Sequence, residues 1–262
     1  NGELTLRDKL INLDFRGMVD FTDSLPKMNF TSTVRNAFLS RLNLWDRDST
    51  SCLSTRMDLD FSGTNIDNLL GSLRFDSTKY TEKGKTYHVK EISLIKNKDV
   101  AGNRTLALRS DFVDADFDGI FTFADFYNSV TNIFSTYLPS IQSTERQAHV
   151  IEKAQLFDYT IHIKNVDPLT ELFLPGFSLE SEANLFGSFN SASETILING
   201  QASRFIYNGI LFNDWFIRGQ NVGRIFELQT GASAITWKEP TEDDPQKLGI
   251  ENFSVNTFLE GD

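Results

Sequence analysis

Cysteine occurs once in the 262 residues, at Cys52, so no disulfide can form within the chain and thiol usage does not report its redox compartment. Histidine is also scarce. His88, His149 and His162 stand far apart with none of the spacing that builds a metal centre, and no metal is expected there. Basic residues number 25 against 36 acidic ones, a net charge of -11, which argues against a partner that is a nucleic acid and against docking on an anionic membrane surface. No run approaches the roughly 18 apolar residues of a membrane-crossing helix, and no signal peptide is expected within this piece. The piece is expected to be soluble. It begins without methionine and is expected to be an excised fragment, whose parent can carry the elements lacking here. Nucleophile elbows of the Gly-x-Ser-x-Gly type are absent. Gly84-Lys85-Thr86 resembles the end of a P-loop, but Lys79 stands where the first glycine belongs, and the segment reads as a hairpin tip. Acid pairs such as Asp58/Asp60 and Asp243/Asp244 belong to acids spread throughout the chain, so neither an enzyme nor a cofactor is expected.

What the chain does have is phenylalanine, 23 of them, against a negative mean hydropathy. Strand periodicity decides where they go. Ile11, Leu13, Phe15, Gly17, Val19 and Phe21 alternate with Asn12, Asp14, Arg16, Met18 and Asp20, a period of two. After the Pro26 turn, Met28, Phe30, Ser32 and Val34 alternate with polar neighbours, and Phe38, Ser40, Leu42 and Leu44 are expected to follow in the same manner. Leu53, Thr55, Met57, Leu59 and Phe61 oppose Ser54, Arg56, Asp58 and Asp60. Gly71, Leu73 and Phe75 form the next set, and a slip of parity between Val89 and Ile92 predicts a bulge. Leu106, Leu108 and Phe112 follow, then Val113, Ala115, Phe117, Gly119 and Phe121. Later, Ser181, Ala183, Leu185, Gly187 and Phe189 alternate well, whereas Phe205 to Phe226 is patchy.

Three capped turns punctuate these strands. Thr64 with Asp67 forms a capping box before Leu69, Leu70 and a terminating Gly71; Thr122 with Asp125 repeats the spacing; Asp167 caps a third turn with Pro168 at its first position. Phe126, Val130, Ile133, Phe134, Tyr137 and Leu138 fall at helical spacing up to Pro139. The polar stretch Ser140 to Val150 is the best internal seam, giving expected segments 1–139 and 140–262 that are continuous with each other.

The sharpest motif match is Asp114, Asp116, Asp118 and Asp125 with Gly119, which occupies positions 1, 3, 5, 12 and 6 of an EF-hand calcium loop. The preceding flank is strand-patterned, Phe117 fills a place that is usually small or polar, and position 12 is not glutamate. All three leading aspartates share one parity, so the favoured reading is the outward face of a strand. A calcium-stabilised binding module remains the alternative.

These patterns predict an all-β fold with short helices: an elongated, strongly curved open sheet of roughly fourteen strands. Its apolar face must be covered by a second sheet, by closure into a barrel, or by a removable apolar ligand. Small residues at Gly17, Ser32, Gly63, Gly71, Ala115, Gly119, Ala183 and Gly187 favour curvature and a hollow. The residues expected to line that groove are Phe15, Phe21, Phe30, Leu59, Phe61, Leu73, Phe75, Leu108, Phe112, Phe117, Phe121 and Phe189. A non-catalytic structural β-solenoid is the runner-up.

The run from Phe61-Ser-Gly through Asp67, Leu69-Leu70-Gly71-Ser-Leu and Phe75, then Thr78 and Tyr80, Thr86 to Leu94, and Leu106 to Phe121 with its helix, resembles the translocation and assembly module TamB family of AsmA-like proteins, in its Bacteroidetes-type long forms. Val166 to Gly187 fits a further repeat. The resemblance implies a segment of an inner-membrane-anchored periplasmic protein that reaches toward an outer-membrane assembly partner of the TamA or BamA type. It also implies an apolar channel for phospholipid acyl chains, with a role in outer-membrane biogenesis and protein assembly. Burying a sixteen-carbon chain is worth about 13 kcal/mol at ~0.8 kcal/mol per methylene, so a lipid needs a continuous apolar path to cross water.

Overall fold

Alternation this regular over ten or more residues leaves long strands as the way to put phenylalanine and aspartate on opposite sides. A computed structural model describes residues 1–45, 48–137, 154–238 and 248–260. Its strands are β1 (Gly2–Arg7), β2 (Ile11–Asp20), β3 (Lys27–Phe38), β4 (Cys52–Ser62), β5 (Leu70–Glu82), β6 (Lys85–Lys98), β7 (Arg104–Ser110) and β8 (Val113–Ile120). After helix α1 (Phe123–Tyr137) come β9 (Leu156–Ile163), helix α2 (Asp167–Phe173), β10 (Phe177–Leu179), β11 (Ala183–Asn190), β12 (Thr195–Tyr207), β13 (Ile210–Val222), β14 (Ile225–Lys238) and β15 (Leu248–Glu260). The fold is all-β: one antiparallel sheet, not closed into a barrel, in which chain order is sheet order. Only β10 leaves the path, pairing with the end of β12.

The chain divides into two compact units, Asn1–Lys98 with Thr105–Asp111, and Asp99–Arg104 with Phe112–Asp262. This division precedes the expected one at 139/140, because α1 packs on strands of the second unit: Phe126 meets Phe157 and Phe189. The proposed seam, 140–150, lies outside the described residues, as do Leu138 and Pro139.

In the first unit a line of irregularities crosses the sheet. Pairing shifts by one residue between Asn12 and Leu13, between Val34 and Ala37, and between Ser54 and Arg56. The β5–β6 ladder omits Ser77, whose φ is 52°, and Lys90. An extra residue in one strand of a pair bends that strand and tightens its twist, so bulges in register crease the sheet. Two contacts hold the crease. The Thr55 and Thr78 hydroxyls lie 2.7 Å apart, and the Lys90 amide, left without a ladder partner, donates to Asp111 Oδ2 at 2.5 Å.

A second crease crosses the second unit. The ladders omit Ser203, Asp214, Ser233 and Asn252, which would have paired in one row, and Asp214 and Asn252 have φ of 46° and 54°. Ser233 Oγ lies 2.8 Å from Asp214 Oδ2. Two consecutive outward residues at the crease, Ser203 and Arg204 in β12, reverse the parity, so Ala202 and Phe205 face the same side. This reversal is why the sequence looks patchy after Phe205.

Several local expectations are corrected. Phe38 to Leu44 is not a strand beyond Phe38: Leu42 and Leu44 amides donate to Phe38 and Leu39 carbonyls in a compact turn. The turn after Phe61 is held by asparagines, with Asn68 Oδ1 accepting from the Thr64 and Asn65 amides and Asn65 Oδ1 from those of Asp67 and Asn68. The Thr64 amide, which a capping box would give to Asp67, is taken by Asn68. Gly71 does not end that turn but lies within β5 opposite Phe61, at φ 125°, where a Cβ would come within 2.2 Å of the Asp60 carbonyl oxygen. Helix α2 starts one residue early, with Val166 at its N-cap and no side-chain cap.

Candidate functional site

Register places the apolar residues of the first unit in rows. Leu4, Phe15, Ser32, Met57, Phe75 and Ile92 are cross-strand neighbours from β1 to β6, and the next row runs Gly17, Phe30, Leu59, Leu73, Leu94. A third runs Val19, Met28, Phe61, Gly71, Lys96. Six of the expected residues (Phe15, Phe30, Leu59, Phe61, Leu73, Phe75) thus share one face. Leu59 is buried, whereas the four phenylalanines and Leu73 are only half-buried, with Phe15 and Phe30 rings 4.8 Å apart. A filled core would bury them fully. Phe21 is corrected: it lies beyond the end of β2 and is 73% exposed. Leu108 is half-buried on β7, and Phe112 is buried in the bend before β8.

On the second unit's sheet the corresponding rows are Val113, Ile163, Ala183, Ala202; then Ala115, Ile161, Leu185, Gly200, Ile217; then Phe117, Tyr159, Gly187, Ile198, Gly219; then Gly119, Phe157, Phe189, Ile196. The last row is not open. Phe126 of α1 stacks edge-on against Phe157 and Phe189 at 5.4 and 5.3 Å, and Tyr137 meets Phe226 at 5.8 Å. Phe121 and Phe189 are only 2% exposed. As groove residues these two are corrected, because the apolar side of α1 fills the hollow assigned to them. Phe117, with Phe121, Phe123, Phe157 and Tyr159 around its ring, borders that core and is half-buried. Burial pushes the Tyr159 phenol above its ordinary value, the mark of a weakly hydrated surround.

The opposite ends of these strands carry a cavity of about 450 Å³. Its floor is Val113, Ile163, Ala183, Leu185 and Ala202, with Phe205 and Trp215 beyond the crease. Its cover is α2 with its flanks, through Val166, Leu169, Thr170, Phe173 and Leu174, and Phe177 and Leu179 of β10 form a wall. Phe205 stacks on Phe212 at 4.6 Å, on Phe177 at 5.8 Å, and edge-on with Trp215 at 5.9 Å. Thr170 turns its hydroxyl back to the Asp167 carbonyl at 3.1 Å, and the surface facing the cavity is carbon throughout. Phe173 and Leu174 are exposed at the rim. None of the twelve expected residues lines this cavity. The signal for it was the Leu169, Leu172, Phe173 cluster after Pro168; the parity reversal hid Phe205 and Trp215.

Polar and charged residues dominate the outward face of the first unit, with Asp14, Arg35, Asp58, Asp60, Arg74 and Asp76 among them. Asp14 is bound by Arg35 and Arg7, which hold its carboxyl below the ordinary 3.8, Arg35 contributing most. Hydrogen bonds from Thr22, Thr50 and Asn103 likewise lower Asp20, Asp48 and Asp99. A depressed folded value stabilises above the unfolded one and is lost as pH falls through the folded value, so acid destabilisation is expected below about pH 4. Urea midpoints measured from pH 7 to pH 2.5 are expected to fall steeply there, less so in Asp14→Asn; an unchanged acid limb in that variant would show that the Arg35–Asp14–Arg7 cluster is inert.

Asp114, Asp116 and Asp118 alternate along the outward face of β8, opposite His162, Thr160 and Asp158. Asp114 pairs with Lys164 at 2.7 Å, and Asp125 accepts from Thr122 Oγ1 at 2.7 Å at the start of α1. The four acids are not gathered into a loop, and among the described residues no three His, Cys, Asp or Glu side chains cluster to hold a metal. No helix among them is long and apolar enough to cross a membrane. No protein family, curated protein or solved structure matches the chain.

Proposed function

We propose that the chain is a non-catalytic lipid-handling segment that shelters acyl chains from water on the apolar side of its sheet. The observation that carries this reading is the 450 Å³ cavity under α2, carbon-lined with an exposed aromatic rim. That volume lies in the range of small-ligand pockets, about 300–1,000 Å³, and a wall with no polar atom gives a head group nothing to bind. The half-buried phenylalanines of the first unit support the same chemistry. The TamB-like sequence pattern supports the wider assignment: a part of an inner-membrane-anchored periplasmic protein, moving phospholipid toward an outer-membrane assembly partner. Where α1 fills the hollow at Phe121 and Phe189, a purely structural role is favoured instead.

Benzoylphenylalanine placed at Leu185 or Phe75 is expected to capture phospholipid from phosphatidylethanolamine vesicles, while their outward neighbours Asn184 and Asp76 capture little. Leu185→Trp, which fills the cavity, is expected to cut capture by a probe at Ala202 at least tenfold. Equal capture on both faces, or none on the apolar one, overturns the reading.

A further inference from the structure

The outward face of the second unit differs in kind from that of the first. In the first unit, charged outward residues find one another: Arg7, Asp14 and Arg35, then Arg74 with Asp76 and Glu91. On β11 to β15 the outward row is Phe186, Asn199, Arg218, Gln229, Asn256, cross-strand neighbours in register. Every one of these side chains is planar. Among the described residues, the side chains of Asn199, Gln229 and Asn256 have no hydrogen-bond partner, and Arg218 only lies over the Phe216 ring at 5.4 Å. Asparagine is disfavoured in strands, and an amide ladder that served the sheet would bond side chain to side chain across it. These do not. They border a shallow depression of about 280 Å³. Phe258, 66% exposed, lines it, and Phe186, 48% exposed, is the cross-strand neighbour of Asn199.

Unspent amides and a guanidinium offer donors and acceptors in fixed planes, and exposed phenyl faces offer a flat apolar surface. A pyranose presents the matching pair: vicinal hydroxyls that both donate and accept, and a ring face of C–H groups. The depression holds one cation, Arg218, and one anion, Glu227, which is taken by Gln220 at 3.3 Å. With no local net charge, on a chain of net charge -11, the site suits a neutral ligand and not a nucleic acid. Strand spacing sets the row from Asn199 to Asn256 at about 14 Å, longer than one sugar ring. We propose that the outward face of β11–β15 binds a neutral oligosaccharide laid along Asn199, Arg218, Gln229 and Asn256, beside Phe186 and Phe258. This site lies on the other face of the sheet from the acyl-chain cavity and does not depend on it.

The test is saturation-transfer NMR on the full chain with four hexasaccharides: β-1,4-linked glucose, mannose, galactose and N-acetylglucosamine. Transfer to at least one is expected, with affinity lowered at least tenfold in Arg218→Ala and in Asn199→Ala and unchanged in Asp116→Ala, which lies outside the row. Thermal midpoints of the variants are expected to match the parent chain, since all three side chains are outward. Should Arg218→Ala misfold, Asn256→Ala on the edge strand gives the same readout. Absence of transfer to all four sugars, or transfer undiminished in the row variants, overturns the proposal. So does a dimer that Arg218→Ala dissociates while no sugar binds, which would make the face an interface between copies. Lipid capture at Leu185 is unaffected by any of these outcomes, so the two readings fail separately.

Discussion

Replacing Phe157 by alanine is expected to lower the stability of the second unit by about 3–5 kcal/mol, the cost of emptying a fully packed aromatic site. Its ring is buried and meets Phe117, Phe121, Phe126, Phe189 and Tyr159 at centroid distances of 5.4 to 6.4 Å. Phe75→Ala in the first unit is expected to cost about 1 kcal/mol, because a half-buried side chain forfeits only part of the 1.5–3 kcal/mol of full burial. The contrast separates a filled core from an open face by energetics alone. Because two units are present, urea unfolding followed by one probe in each is needed, and a single fitted free energy has no meaning if they melt apart. Phe126→Ala is expected to destabilise through the same cluster, and the double variant is expected to cost less than the sum. Equal losses for Phe75→Ala and Phe157→Ala would mean that the first unit's face is as filled as the second's, which removes the acyl-chain reading from that unit.

What sequence could show was set by what period two can carry. From β2 to β6 the alternation held up to the crease; the slip between Val89 and Ile92 marks it, but as a skipped Ser77/Lys90 pair in an unshifted ladder and not as the expected bulge. In β12 and β13 the crease follows Ala202 and precedes Trp215, so the aromatic floor of the cavity changes parity and no single-strand pattern unites it. Strand β1 was missed, with only Leu4 and Leu6 to alternate. The α1 helix was legible from its spacing, but which strands it covers was not: burying Phe121 and Phe189 is decided by register among β8, β9 and β11, a long-range property. The resemblance of Asp114 to Asp125 to a calcium loop arose because acids at every second position satisfy both a loop spacing and a strand face. The turn chemistry after Phe61 went to Asn65 and Asn68, whose amides bond local backbone more readily than the expected Thr64 and Asp67 pair.

Lys96→Ala is the second substitution with a large expected effect, at about 3 kcal/mol. Lys96 stands on the apolar face next to Gly71 in register, and its side chain is 0% exposed. The ammonium donates to the Ile66 carbonyl and to the Asp67 carbonyl at 3.0 Å, so the stem runs beneath the turn and its charge ties that turn down. A lysine is tolerated at such a depth only when its charge is hydrogen-bonded. Removing the stem leaves a cavity, and removing the charge leaves two carbonyls without their donor, each worth about 1–3 kcal/mol where water cannot replace it. Lys96→Met divides these contributions. It keeps most of the volume and removes only the donor, so its cost is expected near the lower end, about 1 kcal/mol. Hydrogen exchange supplies the local readout: the Leu69 amide, bonded to the Asn65 carbonyl at 2.9 Å, is expected to lose protection in both variants while amides of β3 and β4 keep theirs. Met as stable as lysine, with Leu69 still protected, would mean that the turn is held by Asn65 and Asn68 alone. If the order Ala, Met, Lys holds, the lysine seals the Phe61 end of the apolar face. Loosening it is then expected to raise lipid capture by a benzoylphenylalanine at Phe61 without changing capture at Leu185.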